Sequence, residues 1–350
     1  MKNDVFITRM AKFLPNKVVT NDEMEKRLGV IGGKPSRVKP IILRQNRIKE
    51  RYYSVDDDGI IRYTNAELMA NAIDKMFDKH FSAKDVKLLT CGTSSADQML
   101  PSHTSMVHGL LKESIPIPIL SPSGVCCAGA HALLFAYLSV CSGYTDNAVC
   151  GASELVSPLL MAKNFEKEYD DLEQVEKNPY IAFEKDFLRW MLSDGAGCAL
   201  LSNEMEGSLS MKIEWIESVS YANELQTCMY QGAEKNKEGE LISWKTMSEK
   251  EWLSKSIFSI KQDIKQLGKY GVKKAVEHIK KSNEKHNLSF NSVNYFLPHI
   301  SSMFFFDKLL EGLNEAGIPC PKEKWFTNLT YVGNIGSASI YIMLEELFHS

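Results

Sequence analysis

The 350-residue sequence has no long hydrophobic run, no paired-cysteine motif and no strong excess of charge of one sign. No apolar stretch approaches the ~18 residues that a transmembrane helix needs, and residues 1–6 lack the apolar core of a signal peptide. The net charge of −3 gives no general attraction to nucleic acid or to an anionic membrane surface. We therefore expect a cytoplasmic protein that binds neither membrane nor nucleic acid.

The eight cysteines occur without CxxC spacing, and most lie within apolar segments. This pattern favours reduced thiols over a disulfide framework or a zinc site, so we expect no metal and no cofactor. The hydrophobic content of 44% and the charged content of 24% are typical of a globular chain. A chain of this length can form one large core or two subdomains.

One cysteine stands where a short apolar strand gives way to a long apolar helix. Residues 115–120 are apolar, but Pro116 and Pro118 cannot donate to a ladder, so regular pairing should cover only the end of this stretch. After Cys127, the small residues 128–130 precede an apolar run of helical length. A thiol at a helix N-terminus has a lowered pKa and is a stronger nucleophile. The alternative is a buried structural cysteine, because free cysteines often pack as small hydrophobes.

The rest of the chain alternates between strand and helix patterns. Strands are predicted over residues 5–10, 86–90, 147–151, 194–201 and 211–219. A capping box at Thr64 starts one helix, Pro101 starts another, and residues 251–281 form a third with an apolar stripe. We expect His103 and His108 on the surface of the second of these helices, since no further ligand pair accompanies them.

The second half of the chain repeats a pattern of the first. Residues 86–95 and 293–302 each run from an apolar strand into a polar loop. Residues 127–138 and 336–347 each run from small residues into an apolar helix. The two elements are 32 positions apart in the first half (95 to 127) and 34 in the second (302 to 336). The matched order and spacing predict a duplicated α/β unit.

Such a duplication divides the chain into residues 1–204, which carry Cys127, and residues 205–350, which carry His299 and Asn334. Two related halves packed face to face would bring their equivalent loops together. A thiol, an imidazole and an amide can support acyl chemistry: the thiolate attacks a thioester, and the other two donate hydrogen bonds to an oxyanion or enolate. Taken singly, the asparagine is typical of a turn between glycines, and the histidine is typical of the edge of a core.

At these residues the sequence resembles the thiolase-fold condensing enzymes, and most closely the 3-ketoacyl-ACP synthase III group, over nearly the whole chain. Five motifs in the family's order carry the resemblance: IKER at 48–51, CCAG at 126–129, DGAG at 194–197, LPH at 297–299, and GN with SAS at 333–334 and 337–339. The resemblance implies a five-layered α-β-α-β-α fold, a homodimer and a ping-pong Claisen condensation. It assigns the acylated nucleophile to Cys127 rather than Cys126. His299 and Asn334 would hold the thioester oxygen while a malonyl thioester loses carbon dioxide.

Departures from the family pattern bear on the substrate. Residues 32–43 contain no tryptophan like the one that stacks on coenzyme A in typical members, so the resemblance favours acyl carrier protein thioesters over acyl-CoA. Leu100 stands where typical members have a bulky aromatic that reaches into the partner's acyl pocket. The basic segment with Arg44, Arg47 and Arg51 is either a contact for an anionic carrier or phosphate, or a solvated helix end.

Other departures concern the motifs and the end of the chain. The histidine motif continues as ISS at 300–302, where the family has Gln-Ala-Asn. The sequence stops at Ser350, and we expect that the family's last strands and glycine-rich loop are missing from it. Residues 47–53 and 63–67 resemble the subgroup that makes dialkylresorcinols and cyclohexanediones, in which the extender resembles a 3-oxoacyl thioester and ring closure follows. The alternatives are an acyltransferase that forms esters or amides, and a non-catalytic partner subunit.

Overall fold

The computed structural model describes residues 3–33, 35–36, 38–166, 187–207 and 209–350. The strands are β1 Phe6–Phe13, β2 Val19–Thr20, β3 Glu50–Arg51, β4 Leu89–Gly92, β5 Ile119–Leu120, β6 Asn147–Glu154, β7 Gly195–Ser202, β8 Met211–Lys212, β9 Met229–Tyr230, β10 Ala233–Lys235, β11 Leu241–Ser243 and β12 Lys261–Gln262. The helices are α1 Met24–Leu28, α2 Lys39–Asn46, α3 Asn65–Asp74, α4 His103–Leu110, α5 Ala128–Cys141, α6 Glu249–Ser254, α7 Ile264–Gln266, α8 Val272–His286, α9 Phe304–Glu315, α10 Leu329–Val332 and α11 Ser339–Phe348. Among the helices in these ranges, none combines the length and the apolar character that a membrane span requires.

Six strands form one mixed sheet in the order β5-β4-β6-β7-β1-β8. Strand β4 pairs in parallel with β5 and β6, whereas β7 runs antiparallel to β6 and β1, and β8 runs antiparallel to β1. The central strands β4, β6 and β7 are buried almost throughout. Because both faces are covered, these strands need no polar face, which accounts for their unbroken runs of apolar and small residues.

Helices cover the two faces of this sheet. Helices α3 and α4 pack on one face, around a core that includes Val149, and α5 and α11 pack on the other, around Ala148 and Cys150. Neighbouring residues of β6 therefore point into different cores, as the two-residue period of a strand requires. The last helix of the chain, α11, contacts β7 and β1 and lies beside α5.

A third core joins the sheet to the second half of the chain. It contains Trp190 and Leu192, from the segment before β7, together with Ile300, Phe306 and Leu329. These five side chains are all less than 9% exposed. The segment that carries the LPH motif is therefore anchored on the first half by burial of apolar side chains.

Within the described residues, the second half contains less regular strand than the sequence predicts. The strand predicted over 211–219 is wrong beyond β8: Lys212 already pairs with Phe6, the first residue of β1, so the chain that follows has little strand left to pair with. The strand predicted over 293–302 is reduced to one bridge, between Phe296 and Trp325. Apart from these and a bridge between Asn334 and Leu192, the described residues of this half pair as strands only in the short pairs β9–β12 and β10–β11.

Two helix predictions also change. The helix predicted over 251–281 is interrupted: α6 ends before Ser256, whose φ is +44°, and β12 separates it from α7 and α8. The surface position predicted for His103 is wrong, because this residue starts α4 against the end of β6 and is 4% exposed, with Nε2 3.0 Å from Ser153 Oγ. Burial lowers the pKa of His103 to about 4. His108 is half-buried, with Nε2 3.0 Å from the carbonyl oxygen of Ile115.

The capping box predicted at Thr64 is confirmed. Its side chain accepts from the backbone N–H of Glu67, and the Glu67 carboxylate accepts from the backbone N–H of Thr64. The limited pairing predicted for residues 115–120 is also confirmed, since β5 covers only the last two of them. The capping box and the short strand both depend on residues that are close in sequence, so sequence patterns alone are sufficient to predict them.

Two helical glycines have opposite surroundings and make a matched pair for a test. A Cβ on Gly129 would lie 2.2 Å from the Ser337 carbonyl oxygen, whereas a Cβ on Gly109 would meet no atom within 4 Å. We expect Gly129→Ala to lower the free energy of unfolding by about 1–3 kcal/mol through overpacking. Gly109→Ala should raise it by about 0.5 kcal/mol through helix propensity. Urea unfolding measures both, and equal effects would contradict the close contact at Gly129.

Candidate active site

Cys127 occupies the position immediately before α5. It is the N-cap residue of this helix, its φ and ψ are −81° and −8°, and its side chain is exposed. The small residues that follow bury the start of the helix against the sheet, while the thiol stays accessible. The predicted location of this cysteine, between a short strand and a long apolar helix, is confirmed.

The neighbouring thiol has a different environment. Cys126 is half-buried, and burial together with the negative charge of Glu154 raises the pKa of its thiol to about 12. A thiol with this pKa stays protonated at neutral pH and is a poor nucleophile. Of the two adjacent cysteines, Cys127 has the more exposed side chain.

Asn334 is held by the backbone of the first half of the chain. Its N–H donates to the Met191 carbonyl at 3.0 Å, and its carbonyl accepts from the Ser193 N–H at 2.9 Å. Its Oδ1 accepts from the Gly336 N–H at 3.0 Å, which fixes the orientation of the side-chain amide. In the described part of the chain, its Nδ2 has no hydrogen-bond partner, and it is not among the fully buried polar atoms. This amide group is therefore a free donor.

The loop that carries Asn334 lies against the first turn of α5. The close approach of Gly129 to the Ser337 carbonyl joins the two segments, and Tyr341 Oη donates to the Gly129 carbonyl at 2.9 Å. Gly129 is two positions after Cys127, and Ser337 is three positions after Asn334. The segment that follows Cys127 therefore contacts the segment that follows Asn334.

His299 lies between two buried residues, Pro298 and Ile300. Ile300 shares a core with Leu192, and Leu192 forms a bridge with Asn334. The histidine motif and the asparagine loop are therefore connected through one core. The ring nitrogens of His299 make no hydrogen bond within the described residues, so they are available to a ligand.

The environment of His299 combines exposure with desolvation. Its side chain is exposed to solvent, yet the surrounding protein lowers the pKa of the imidazole to about 4 by desolvation. At neutral pH the imidazole is then uncharged and carries one N–H donor.

A cavity of about 320 Å³ lies close to the segment that precedes Cys127. Gly124, which lines it, is the residue whose Cβ would approach the Cys127 sulfur to 4.0 Å. The other walls include Ser94, Met99 and His103. This space can receive a group attached to the thiol.

The residues predicted to bind substrate or carrier do not form one surface. Arg44 is exposed, and Arg47 is exposed with its guanidinium 3.8 Å from the Asp307 carboxylate. Arg51 is fully buried, its guanidinium has no hydrogen-bond partner in the described ranges, and burial lowers its pKa. Only the first two arginines are accessible to another macromolecule. Leu100 is 85% exposed.

Sequence reasoning missed Glu154, at the end of β6. This carboxylate is 1% exposed and accepts hydrogen bonds from Ser94, Ser95 and Ser337. The only signal in the sequence is an acidic residue directly after the small residues of a buried strand.

The described residues contain no group of three or more His, Cys, Asp or Glu arranged to hold a metal ion.

Comparison with models of protein families gives no match. Among curated proteins, the chain is similar to beta-ketoacyl-[acyl-carrier-protein] synthase III of Clostridium botulinum (strain Loch Maree), with 24% identity over 99% of this chain and 90% of that protein.

Among solved structures, the chain is similar to AbyA1, a tetronic acid condensing enzyme, with a TM-score of 0.76, 19% identity and coverage of 99% of this chain and 92% of that one. It is also similar to 3-oxoacyl-[acyl-carrier-protein] synthase III from Aquifex aeolicus, with a TM-score of 0.65, 20% identity and coverage of 99% and 91%. The chain has a thiolase-like fold. The fold predicted from the five motifs is therefore confirmed, and in this thiolase-like chain Cys127 occupies the start of a central helix.

The contrast between the two cysteines predicts selective alkylation. With iodoacetamide at pH 7.5, we expect Cys127 to react more than about tenfold faster than Cys126, because one thiol is exposed and the other is desolvated beside a carboxylate. Peptide mapping of the modified protein measures the two rates. Cys127→Ala should remove the fast phase and Cys126→Ala should retain it. A first adduct on Cys126 would contradict the geometry.

Proposed function

We propose that the chain is a condensing enzyme of the 3-oxoacyl-ACP synthase III type. It would load an acyl group onto Cys127 and condense it with a malonyl- or 3-oxoacyl-thioester. The observation that carries the proposal is the exposed thiol at the start of α5, whose first turn lies against the loop that carries the free amide donor of Asn334. In the proposed arrangement, residues 1–204 supply the nucleophile and residues 205–350 supply the donors. The similarity to a curated synthase III over 99% of the chain supports the same reaction class.

The first half-reaction acylates the enzyme. The Cys127 sulfur attacks the carbonyl of an acyl thioester, a C–S bond forms, and the carrier leaves as a thiolate that takes up the proton of the cysteine. The acyl chain then enters the cavity beside Gly124.

The second half-reaction forms the carbon–carbon bond. With a malonyl extender, the bond to the carboxylate breaks, carbon dioxide leaves, and the electron pair moves into an enolate. The N–H of neutral His299 and the Nδ2–H of Asn334 donate to the enolate oxygen. The enolate carbon attacks the acyl carbonyl, and the C–S bond breaks to return the Cys127 thiolate. A 3-oxoacyl extender would instead lose a proton, which a base must accept.

The partners proposed for this reaction are an acyl carrier protein and a second copy of the chain. Arg44 and Arg47 are exposed cations of the basic segment and would meet the anionic carrier. Strand β5 is at the edge of the sheet, and Met99 and Leu100 near it are 70% and 85% exposed. An unpaired edge strand beside large exposed apolar side chains supports an isologous homodimer.

The direct test is intact-protein mass spectrometry after incubation with a panel of acyl carrier thioesters and acyl-CoAs. We expect the mass increase of one acyl group on the wild type and none on Cys127→Ala. Addition of malonyl carrier protein should then release a product with a new carbon–carbon bond. An ester or amide product would instead assign the chain to acyl transfer, and a protein that no thioester acylates would refute the proposal.

Variants of the two donors should separate the half-reactions. We expect His299→Ala and Asn334→Ala to accept an acyl group at a rate close to wild type but to condense ~10²–10³-fold more slowly, since each removes one donor to the enolate. Because the pKa of His299 is about 4, condensation in the wild type should show no inflection from this residue between pH 6 and 8. Single-turnover assays measure both steps. Equal losses in loading and condensation would contradict this division.

Leu100 should set the acyl length through the partner subunit. A leucine leaves more room than a ring, and each buried methylene gains ~0.8 kcal/mol, so we expect medium or long acyl groups to be preferred over acetyl. Leu100→Phe should shift loading toward short chains, while Leu253→Phe, a change at another exposed leucine, should not. Loading rates across chain lengths and sedimentation at micromolar concentration provide the test. An unchanged profile, or a monomer, would contradict the proposal.

A further inference from the structure

The carboxylate of Glu154 gathers hydrogen bonds from two separate loops. It stands at the end of β6 and is 1% exposed. Five donors point at it: the N–H and hydroxyl of Ser94, the hydroxyl of Ser95, and the N–H and hydroxyl of Ser337.

The serine hydroxyls divide between the two carboxylate oxygens, whereas the Ser94 N–H lies 3.2 Å from Oε1 and 3.3 Å from Oε2. Oε2 accepts from the Ser94 and Ser95 hydroxyls, each at 2.7 Å, and Ser94 lines the cavity beside the thiol. Oε1 accepts from the Ser337 N–H at 3.2 Å and from its hydroxyl, and Ser337 lies in the loop of Asn334. The carboxylate therefore bridges the wall of the acyl cavity and the loop that presents the amide donor.

The surroundings of this bridge leave little freedom. A Cβ on Gly336 would come within 3.1 Å of Glu154 Oε1, so the loop lies directly on the carboxylate. Burial raises the pKa of Glu154, and the serine hydrogen bonds act in the opposite direction. Burying a carboxylate is costly unless donors surround it. That cost is offset here only while both loops stay in place, so the carboxylate favours one arrangement of the two loops.

We propose that Glu154 is a positioning residue, which holds the Asn334 loop at a fixed place relative to the acyl cavity and to Cys127. Asn334 can donate to an enolate only if its amide lies at the correct distance from the acylated sulfur, and errors of about 1 Å are enough to slow such a step. The kinetic part of this inference rests on the proposed condensing function. The structural part, the coupling of two loops through one carboxylate, does not.

The structural part is tested by hydrogen exchange on Glu154→Gln. Glutamine has the same size, but its NH₂ group cannot accept, so the donors at one of the two carboxylate positions lose their partner. We expect the peptides that contain the Ser94 and Ser337 amides to exchange about tenfold faster or more, while peptides of α8 are unchanged. Exchange at wild-type rates in both loops would overturn the proposal.

A further variant and its control test the Ser337 end of the hydrogen-bonded bridge through Glu154. Ser337→Ala removes a donor from Oε1 only, so we expect condensation per acylated enzyme to fall about tenfold or more with little change in the rate of acylation. Ser339→Ala is the matched control, because its hydroxyl is buried nearby and has no hydrogen-bond partner in the described residues. It should change neither step. An equal fall in both steps for Ser337→Ala would indicate general destabilisation and overturn the proposal.

The double variant Glu154→Gln/Ser337→Ala completes the cycle. If the carboxylate acts on Asn334 through Ser337, the double variant should condense no more slowly than Glu154→Gln alone, because the same link is already broken. Additive losses would overturn the proposed route. A wild-type protein that no thioester acylates would refute the condensing function, and the exchange measurement would then decide the role of Glu154 without reference to catalysis.

Discussion

The contact between Gly129 and the Ser337 carbonyl is the constraint on which the arrangement of the site depends. A carbonyl oxygen occupies the space that any other side chain at position 129 would need, so the start of α5 and the 3₁₀ turn Gly336–Ala338 approach through backbone atoms. The approach brings the loop of Asn334 beside Cys127. It also places α11 against β7 and β1, next to α5. Helix α11, from the second half of the chain, therefore lies in the same helix layer as α5 from the first half. One small residue thus permits both the packing of the central layer and the close approach of the two segments that carry Cys127 and Asn334.

Around this contact, several loops that do not pair as strands donate hydrogen bonds to buried carboxylates. Asp194 accepts from the N–H groups of Ser54, Val156 and Ser157, and Glu154 accepts from three serines. Each binds backbone or hydroxyl donors from loops far apart in the sequence. Burial raises the pKa of Asp194 to about 6, so its ionised form is present at neutral pH only because these donors surround it. The loops of the site are therefore ordered by hydrogen bonds to charge rather than by strand pairing, and loss of either carboxylate would affect several loops at once.

Features set by neighbouring residues could be predicted from the sequence, and features set by distant ones could not. The capping box at Thr64 and the position of Cys127 at a helix start depend on local chemistry, and both were predictable. The strand predicted over 211–219 is wrong beyond Lys212 because its partner β1 begins at Phe6. No pattern within residues 211–219 could reveal where that partner begins. His103 looked like a surface residue, yet β6 covers it, and Arg51 belongs to a basic run yet lies in the interior. Glu154 was missed for the same reason, since its role exists only when three distant serines meet.

The uncharged state of His299 has a chemical consequence for the proposed reaction. Decarboxylation moves negative charge from the carboxylate of the extender to the oxygen of its thioester. An imidazolium beside the extender would stabilise the carboxylate before the reaction as well as the enolate after it, and interactions equal in both states do not accelerate the step. Because desolvation lowers the pKa of His299 to about 4, the ring donates a hydrogen bond without a net charge, as Asn334 does. The buried position of Arg51 is consistent with the same requirement, since its guanidinium does not face solvent or any surface open to the extender. Two neutral donors thus favour the localised charge of the enolate over the carboxylate from which it forms.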